Sequence, residues 1–326
     1  MRLPAETVPH ERMLMAWPTA TRKDALWHDA LDEARAVYAL VARVIAAQEP
    51  VLMVANPDEV DDAVTRCGPS VEMVPLEIDD SWMRDIGPLV VRARDGRRHA
   101  VLFHFNAWGE KYEPYAADAR VAERMAAILE FPAHQTPLVL EGGAIAVDGA
   151  GTLVTTERCV LNPNRNPEMS RTDAEAVFRA AFGVKRVVWL PDAIAEDIET
   201  DGHVDNVVAF PAPATALLQG CDDHANPNHA IAARNRAILE AEGVEVTELP
   251  VLPYADVLGA SVPVPYLNYV VANGVVVVPV TGHPADGDAL ATIGAAYPGR
   301  EVVGVPGALL AYGGGGVHCI TQPVPA

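Results

Sequence analysis

Segments with a helical spacing of apolar residues alternate along this chain with short runs rich in β-branched residues. The clearest helical spacing covers residues 24–48, where Leu26, Leu31 and Val41 mark one face. The β-rich runs outnumber the helices and are bounded by glycine, proline or aspartate. This alternation predicts an α/β fold with more than one strand per helix. The predicted helices are 24–48, 57–66, 117–129, 172–181, 228–242 and 286–296, and the predicted strands are 51–55, 71–75, 89–94, 100–105, 153–155, 187–190, 214–218, 244–249, 275–280 and 301–305.

The order of these segments argues against a nucleotide-binding fold and indicates a repeated unit. No G-x-G-x-x-G joins an early strand to a helix, as a dinucleotide-binding fold requires. Roughly five strand-rich units, each containing a helix, suggest instead a quasi-repeat that closes into a ring. No linker or low-complexity segment divides the chain, so residues 1–326 are predicted to form a single domain.

Composition limits the compartment and the partners that we expect. The four cysteines are scattered with no C-x-x-C pair, which predicts a reducing compartment, free thiols and no structural metal. The N-terminus shows no hydrophobic signal region, and the longest apolar runs are too short to cross a bilayer. A formal net charge of −20 disfavours nucleic acid. We therefore expect a cytoplasmic protein with neither nucleic-acid nor membrane partners.

Four consecutive glycines, Gly313 to Gly316, precede Val317, His318 and Cys319 close to the end of the sequence. Fixing such a run costs much conformational entropy. A run without side chains that leads to one thiol suggests backbone packed closely around something, with the thiol beside it. The alternative interpretation is a flexible tail with an incidental cysteine, because glycine runs are common in linkers.

Two acidic segments resemble parts of a ligand site. The segment 79–88 places Asp80, Trp82 and Asp85 within a short loop, which fits a site for a small charged ligand. The alternative is a solvated loop whose carboxylates pair with Arg84. Further along, Glu141 precedes two glycines, where backbone or ligand can approach closely. An exposed glutamate in a turn is the alternative there.

His203 and Asp205 form the pair best suited to proton transfer. If residues 203–205 begin the strand that continues into the apolar run 207–210, both side chains lie on one face, about 6–7 Å apart. A histidine beside a carboxylate is a suitable proton shuttle near neutral pH. A purely structural pair is the alternative. No second histidine stands at ligand spacing, so we predict no metal site here.

Taken together, these residue types favour chemistry at a guanidine. Carboxylates around one pocket need a cation among them, and a planar guanidinium binds carboxylates through paired hydrogen bonds. Its central carbon is electrophilic, and a thiolate such as that of Cys319 is suited to attack it. His203 can protonate the departing nitrogen and later activate water. The pattern therefore predicts hydrolysis through a covalent thiouronium.

With these residues in place, the chain resembles the agmatine deiminase family, which is related to the bacterial peptidyl-arginine deiminases within the guanidine-modifying (pentein) superfamily. The resemblance extends nearly from end to end, in the same order. The matching segments are 9–11, 15–18, 80–88, 105–109, 140–143, 164–167, 200–206 and 315–322.

The resemblance implies a five-bladed α/β propeller with the active site on its central axis, and no metal or organic cofactor. It implies Cys319 as the nucleophile, His203 as the general acid and base, and Asp85 and Asp205 as the groups that grip the guanidinium. The implied reaction converts agmatine and water into N-carbamoylputrescine and ammonia, a step toward putrescine. The implied substrate-binding residues are Trp82, Glu141, Asp80 and Gly316.

The sequence departs from the family pattern at Gly316, Glu110, Ala144 and Ala146, where the family commonly has Asn, Gly, Ser and His. We expect these positions to lie near the substrate channel. Other guanidines, such as free arginine or a biosynthetic intermediate, therefore stay open as substrates. An amidinotransferase, a peptidyl-arginine deiminase and a non-catalytic binder of cationic amines are further functions that fit the sequence. The partner prediction is a small cationic guanidine, with a homodimer as a possible assembly.

Overall fold

The computed structural model describes all 326 residues of the chain as a mixed α/β structure. None of its helices combines the length and the apolar composition needed to cross a membrane. The strands are β1 (His10–Ala16), β2 (Val51–Ala55), β3 (Val71–Pro75), β4 (Leu89–Arg92), β5 (Arg98–His104), β6 (Ala133–Val139), β7 (Ile145–Val147), β8 (Thr152–Thr156), β9 (Arg186–Leu190), β10 (Val208–Ala212), β11 (Thr215–Gln219), β12 (Glu245–Leu249), β13 (Tyr254–Val257), β14 (Ala260–Pro263), β15 (Val270–Val271), β16 (Val275–Val280), β17 (Glu301–Pro306) and β18 (Thr321–Pro325). The helices are α1 (Leu31–Ala46), α2 (Val60–Cys67), α3 (Met83–Ile86), α4 (Ala107–Glu110), α5 (Val121–Ile128), α6 (Glu157–Val160), α7 (Arg171–Phe182), α8 (Pro227–Ala241), α9 (Asp286–Ala296) and α10 (Ala308–Tyr312).

One supersecondary unit recurs along the chain. In each of five sheets, an antiparallel pair of strands is followed by a parallel pair. Parallel neighbours need a long crossover, and at least one helix supplies it in every unit. The sheets have the strand orders β18-β1-β2-β3, β4-β5-β6, β7-β8-β9, β10-β11-β12 and β15-β16-β17, and a separate hairpin joins β13 to β14.

The two ends of the chain meet in the first sheet. The last strand, β18, runs antiparallel to β1, with Met15 opposite Thr321. The segment before β18 also belongs to the largest apolar core, where Val317, Cys319 and Ile320 are almost fully buried together with residues of β1, β2 and α1. The C-terminal segment is therefore fixed on both sides, by strand pairing and by core packing. The predicted α/β class is confirmed, with separate sheets rather than one closed sheet.

The helix predicted over 24–48 is interrupted near its start. A π-helical turn covers Lys23–Trp27 and a 3-10 turn covers His28–Ala30, before α1 begins at Leu31. His28 has a φ of +49°, in the left-handed region that a regular helix excludes. Trp27 matches the apolar period, but its ring is fully buried against Trp82, with ring centres 6.0 Å apart. The apolar spacing at Trp27 thus reflects burial of its ring in the core and not a regular α-helix.

Candidate active site

The glycine run before Cys319 is closely packed backbone. A side chain at Gly313 would begin 2.6 Å from the ring of Trp27, and one at Gly315 would begin 2.5 Å from the ring of Trp82. At Gly316 an added Cβ would lie 2.4 Å from Oδ1 of Asn268. Only glycine leaves room for these neighbours without a shift. The interpretation of this run as a loose tail is therefore wrong.

Cys319 lies buried between a side-chain amide and a carboxylate. Asn268 donates from Nδ2 to the Cys319 sulfur at 3.2 Å, and Oδ2 of Asp205 lies 3.6 Å from the same sulfur. A second hydrogen bond, to Oδ1 of Asn206 at 2.9 Å, orients the Asn268 amide. Burial raises the pKa of the Cys319 thiol well above its usual value, and the charges of Asp205 and Asp85 raise it further. In the protein without substrate, Cys319 is a neutral thiol at pH 7.

His203 does not begin a strand, so that prediction is wrong. Residues Val204–Asn206 form a 3-10 turn, and β10 begins only at Val208. Asp197 accepts a hydrogen bond from the backbone N–H of His203 at 3.0 Å, which helps to fix this turn. Three residues are too few for an alternating pattern to distinguish a strand from a turn. His203 and Asp205 nevertheless share a neighbour in Gly143.

Two carboxylates surround the His203 ring at longer distances than ordinary hydrogen bonds. Its Nε2 lies 3.5 Å from Oε2 of Glu141, and its Nδ1 lies 3.9 Å from Oδ1 of Asp85 and has no hydrogen-bond partner. Burial alone would lower the pKa of His203. The charge of Asp85 and the nearby Cys159 and Glu141 side chains outweigh burial, and they raise this pKa well above its usual value.

Gly143 marks the point at which three of the predicted site residues converge. A Cβ added there would lie 2.5 Å from Nδ1 of His203, 3.0 Å from Oδ2 of Asp205 and 3.1 Å from Oδ1 of Asp85. Its backbone N–H donates to Oδ1 of Asp85 at 3.1 Å. The predicted close approach at the glycine pair is thus observed, and it involves protein side chains.

Asp85 belongs to the short helix α3 and is buried. The indole N–H of Trp108 donates to its Oδ2 at 2.9 Å. Burial raises the pKa of Asp85 to about 6. The nearby His203 opposes this rise, while Asp205 and Glu141 add to it. Asp85 therefore loses its charge under mildly acidic conditions, unlike an ordinary aspartate.

Two further predicted carboxylates are already paired with buried arginines. Glu141 accepts a hydrogen bond from Nε of Arg165 at 2.7 Å, and Asp80 accepts one from Nε of Arg22 at 2.9 Å. Burial opposes ionisation of Glu141, but Arg165 and His203 outweigh it and lower its pKa. Burial raises the pKa of Asp80 despite Arg22. Neither residue lies in a solvated turn or loop, so those alternative interpretations are wrong.

One cavity, which we call the front cavity, reaches Cys319 and is lined by acidic and aromatic side chains. Neither lysine nor arginine lines it. The lining residues are Leu26, Asp80, Trp82, Asp85, Trp108, Tyr112, Glu199, Thr200, Gly313, Gly314 and Cys319. The positions that depart from the family pattern, Gly316, Glu110, Ala144 and Ala146, are absent from this lining. The lining also lacks the predicted site residues Glu141, His203 and Asp205, so the expectation that the four departing positions lie near the substrate channel stays a prediction.

Cys159, one of the four free cysteines, also lies at the site and is buried. Its sulfur is 3.9 Å from Oε2 of Glu141. Glu141, Cys159 and His203 bring three possible metal-ligating atoms within 4.8 Å of one another. They are thus the residues able to hold a cation, although Arg165 already occupies the other oxygen of Glu141.

Several contacts at the site involve residues that the sequence did not single out. Arg165 neutralises Glu141, and Asn268 holds the thiol. His318 bonds to Asp205 with Nδ1 at 2.8 Å and to both oxygens of Glu6 with Nε2 at 2.9 and 3.0 Å. Adjacency to Cys319 was the one local signal for His318. Glu6 gave none, because it stands 312 residues from His318.

Comparison with known proteins gives matches over nearly the whole chain. The family model described as Porphyromonas-type peptidyl-arginine deiminase matches residues 2–325. The agmatine deiminase of Stutzerimonas stutzeri is 37% identical, over 99% of this chain and 95% of that protein. The agmatine deiminase of Pseudomonas aeruginosa (strain LESB58) is also 37% identical, over 100% of this chain and 95% of that protein.

A solved structure, the agmatine deiminase of Enterococcus faecalis, superposes with a TM-score of 0.93 at 30% identity, covering 99% of this chain and 95% of that one. Sequence and structure therefore point to the same group of proteins. The resemblance inferred from the sequence motifs is confirmed. The chain belongs to the Porphyromonas-type peptidyl-arginine deiminase family, together with the agmatine deiminases that it matches along its full length.

Proposed function

We propose that this protein hydrolyses the guanidinium group of agmatine, giving N-carbamoylputrescine and ammonia. One observation carries the proposal: His203, Asp85 and Asp205 converge at Gly143, and Asp205 also lies 3.6 Å from the Cys319 sulfur. A thiol, a histidine and two carboxylates around one point are the groups that guanidine hydrolysis needs. The full-length matches to agmatine deiminases support agmatine as the substrate.

In this proposal Asp85 and Asp205 accept hydrogen bonds from the guanidinium nitrogens. Both are buried, and neither is paired with lysine or arginine. Oδ1 of Asp205 is buried and has no hydrogen-bond partner, so it can accept an N–H of the substrate. A guanidinium between the two carboxylates places its carbon near Cys319.

The first chemical step is attack of the Cys319 thiolate on the guanidinium carbon. The thiol is neutral without substrate because burial and two carboxylates raise its pKa. A substrate cation bound between those carboxylates offsets their effect and lowers the thiol pKa, so the thiol releases its proton to water and the thiolate attacks the guanidinium carbon. The carbon–nitrogen bond then breaks, His203 protonates the departing nitrogen, and ammonia leaves a thiouronium on Cys319.

Hydrolysis of the thiouronium completes the cycle. His203, now neutral, takes a proton from water, and the oxygen attacks the same carbon. The carbon–sulfur bond breaks, the hydroxyl proton of the intermediate passes to the Cys319 sulfur, and N-carbamoylputrescine leaves the neutral thiol behind. Glu141 orients His203 during both steps, because its second oxygen is fixed by Arg165.

The lining of the front cavity favours agmatine over free arginine. The two molecules differ at the end far from the guanidinium, where arginine carries a carboxylate beside its amine. Three acidic residues and neither lysine nor arginine line the cavity, so an added carboxylate is repelled. Glu199, which accepts a hydrogen bond from the Tyr112 hydroxyl at 2.5 Å, is suited to bind the distal ammonium. Trp82 supplies an apolar wall for the alkyl chain.

We propose that the five sheet units are the blades of a five-bladed propeller with the site on its axis, and that residues 1–326 form one catalytic domain. Support comes from the repeated unit and from the pairing of β18 with β1. Site residues come from several units: Asp85 precedes β4, His203 precedes β10 and Cys319 precedes β18. The homodimer stays a prediction, which light scattering of the purified protein can measure.

The deciding experiment is a guanidine panel with ammonia as the readout. Agmatine should give the highest kcat/KM, and free arginine should be lower by about two orders of magnitude, because its carboxylate has no counter-ion. Absence of ammonia from every guanidine, with the protein folded, would refute hydrolysis. Higher turnover of arginine than agmatine would refute the substrate assignment alone.

Variants of two cysteines test the covalent step. Cys319→Ala should abolish turnover, whereas Cys221→Ala, which removes a buried thiol outside the site, should retain it. Wild-type protein quenched during turnover should carry on Cys319 an adduct with the mass of agmatine less ammonia, measured by mass spectrometry. Transfer of the amidino group to an added amine, in place of ammonia release, would indicate an amidinotransferase. Full turnover of Cys319→Ala would refute the covalent mechanism.

A further inference from the structure

His318, the residue before the proposed nucleophile, lies between two carboxylates. Nδ1 is 2.8 Å from Oδ2 of Asp205, and Nε2 is 2.9 and 3.0 Å from the two oxygens of Glu6. An ionised carboxylate can only accept hydrogen bonds, so each ring nitrogen must donate. A neutral imidazole has one donor nitrogen. The geometry therefore requires His318 to be an imidazolium.

Arg84 holds Glu6 on the side away from His318. Its Nη1 pairs with Oε1 of Glu6 at 2.6 Å, and its backbone N–H donates to the carbonyl oxygen of Cys319 at 3.0 Å. Glu6 thus lies between two cations, and Arg84 also anchors the backbone that carries the thiol. We call Asp205, His318, Glu6 and Arg84 the carboxylate–imidazolium chain.

At the other end of the carboxylate–imidazolium chain, Asp205 lies beside the Cys319 sulfur. Oδ2 takes the His318 hydrogen bond and lies 3.6 Å from the Cys319 sulfur, whereas Oδ1 is buried without a partner. A carboxylate held by one oxygen leaves the other in a fixed position. The direction in which Oδ1 points therefore depends on the bond between His318 and Oδ2.

We propose that His318 and Glu6 are positioning residues for the deimination: Glu6 holds His318 as an imidazolium, and the imidazolium keeps Asp205 ionised with its free oxygen directed at the guanidinium. The inference rests on the proposed function. It gives a role to a residue of the N-terminal segment that precedes every strand.

Electrostatics agree with this assignment. Burial opposes ionisation of Asp205, but the hydrogen bond and charge of His318 outweigh it and lower its pKa. Burial and Arg84 lower the pKa of His318, while Glu6 and Asp205 raise it, and the balance lies above the usual value. Beyond Glu6, the groups within its electrostatic reach are His10, Tyr269 and Tyr297. Glu6 is thus the one carboxylate besides Asp205 that keeps His318 charged.

The test combines NMR of the histidine rings with steady-state kinetics. In protein labelled with ¹⁵N-histidine, loss of one spin system in His318→Gln identifies the His318 ring. Its two nitrogens should both carry protons at pH 7 in the wild type. In Glu6→Gln the ring should lose one proton at a pH lower by at least about one unit, because a neighbouring negative charge is gone.

Kinetics separate positioning from a structural role. Glu6→Gln should raise KM for agmatine about tenfold at pH 8, with a smaller change in kcat. The reason is that a neutral His318 no longer keeps Asp205 ionised, and ionised Asp205 binds the guanidinium. The alkaline limb of kcat/KM should shift to lower pH. Glu11→Gln is the matched control: Glu11 lies in β1, soon after Glu6 in the sequence, pairs with Arg98, does not touch His318, and should leave the profile unchanged.

Two results would overturn the proposal: a neutral His318 ring at pH 7 in the wild type, or equal KM and pH profiles for Glu6→Gln and Glu11→Gln. The NMR measurement needs no variant of Glu6, so it decides the charge of His318 even if Glu6→Gln does not fold. A wild-type protein that releases no ammonia from any guanidine refutes the proposed function instead. The two failures are thus distinguishable.

Discussion

Two buried histidines flank the candidate active site, and each stands beside a glutamate that is backed by an arginine. His203 faces Glu141 and Arg165, whereas His318 faces Glu6 and Arg84. The arrangements differ in how tightly the ring is held. The carboxylates nearest the His203 ring lie at 3.5 and 3.9 Å and its Nδ1 has no hydrogen-bond partner, whereas His318 has bonds of 2.8 to 3.0 Å on both nitrogens.

This difference separates two uses of the same side chain. A ring that moves protons must release and accept them during turnover, so loose contacts and a free nitrogen suit His203. A ring bonded at both nitrogens by carboxylates is a fixed positive charge, which suits the positioning role proposed for His318. In the proposed mechanism His203 is thus the proton carrier on one side of the site, and His318 is a cation on the other.

The largest expected effect comes from exchanging the histidines for a neutral side chain. His203→Gln should lower kcat about a thousandfold, because general acid–base catalysis is lost. His318→Gln should cost only about tenfold, mostly in KM, because Asp205 stays in place with a weaker partner. Ammonia release from agmatine measures both, with the exposed His224→Gln as the control. Equal losses in kcat for His203→Gln and His318→Gln would contradict the assignment of different roles to the two histidines.

The arginines behind the two glutamates should differ in their contribution to stability. Arg165→Met should lower the free energy of unfolding by about 3 kcal/mol, because it leaves the buried Glu141 carboxylate without its cation. Arg84→Met should lower it by about 1 kcal/mol, because the Glu6 side chain is 31% exposed to solvent and keeps His318 as a partner. Urea unfolding at pH 7 measures both values. A larger loss for Arg84→Met would contradict the comparison.

A substitution at Gly143 tests whether His203 needs the space beside its Nδ1. In Gly143→Ala the new Cβ would lie 2.5 Å from Nδ1 of His203, so the ring must move. A displacement of this kind should lower kcat about a hundredfold. Gly287→Ala is the matched control, because its Cβ meets nothing within 4 Å and lies within α9, where alanine favours the helix. Wild-type turnover of Gly143→Ala would show that the ring has room to shift.

Sequence patterns identified His203 and the carboxylates beside it, but not the residues that hold the site together. Cys319, His203, Asp85 and Asp205 carry recognisable chemistry within short segments, and the family resemblance gave each a role. Contacts with Glu6 and Asn268 join residues far apart in the chain, and no local pattern reports such pairs. The position of Arg165 in a matching segment was visible, but its pairing with Glu141 depends on the fold.

The same limit applies to the secondary structure. Strands such as β2, β3 and β16 were predicted with their observed bounds, because runs of β-branched and other apolar residues stand between clear breaks. The strands β1 and β18 were missed, since β1 is apolar over Met13–Ala16 without alternation and β18 contains two prolines. Their pairing, which carries Cys319 to its place, is a long-range event that only the folded chain reveals.

Trp108→Phe should produce the smallest effect, on the acidic side of the pH profile. The activity needs ionised Asp85, whose pKa is about 6, so kcat/KM should fall as the pH falls through about 6. The Trp108 N–H stabilises the ionised form, so its removal raises the Asp85 pKa and should move this limb upward by about half a pH unit. Trp189→Phe removes a similar indole hydrogen bond, to Glu175 outside the site, and should leave the limb in place. An acidic limb that stays unchanged in Trp108→Phe would assign it to a group other than Asp85, and the carboxylate beside His203 would then have no part in the pH dependence.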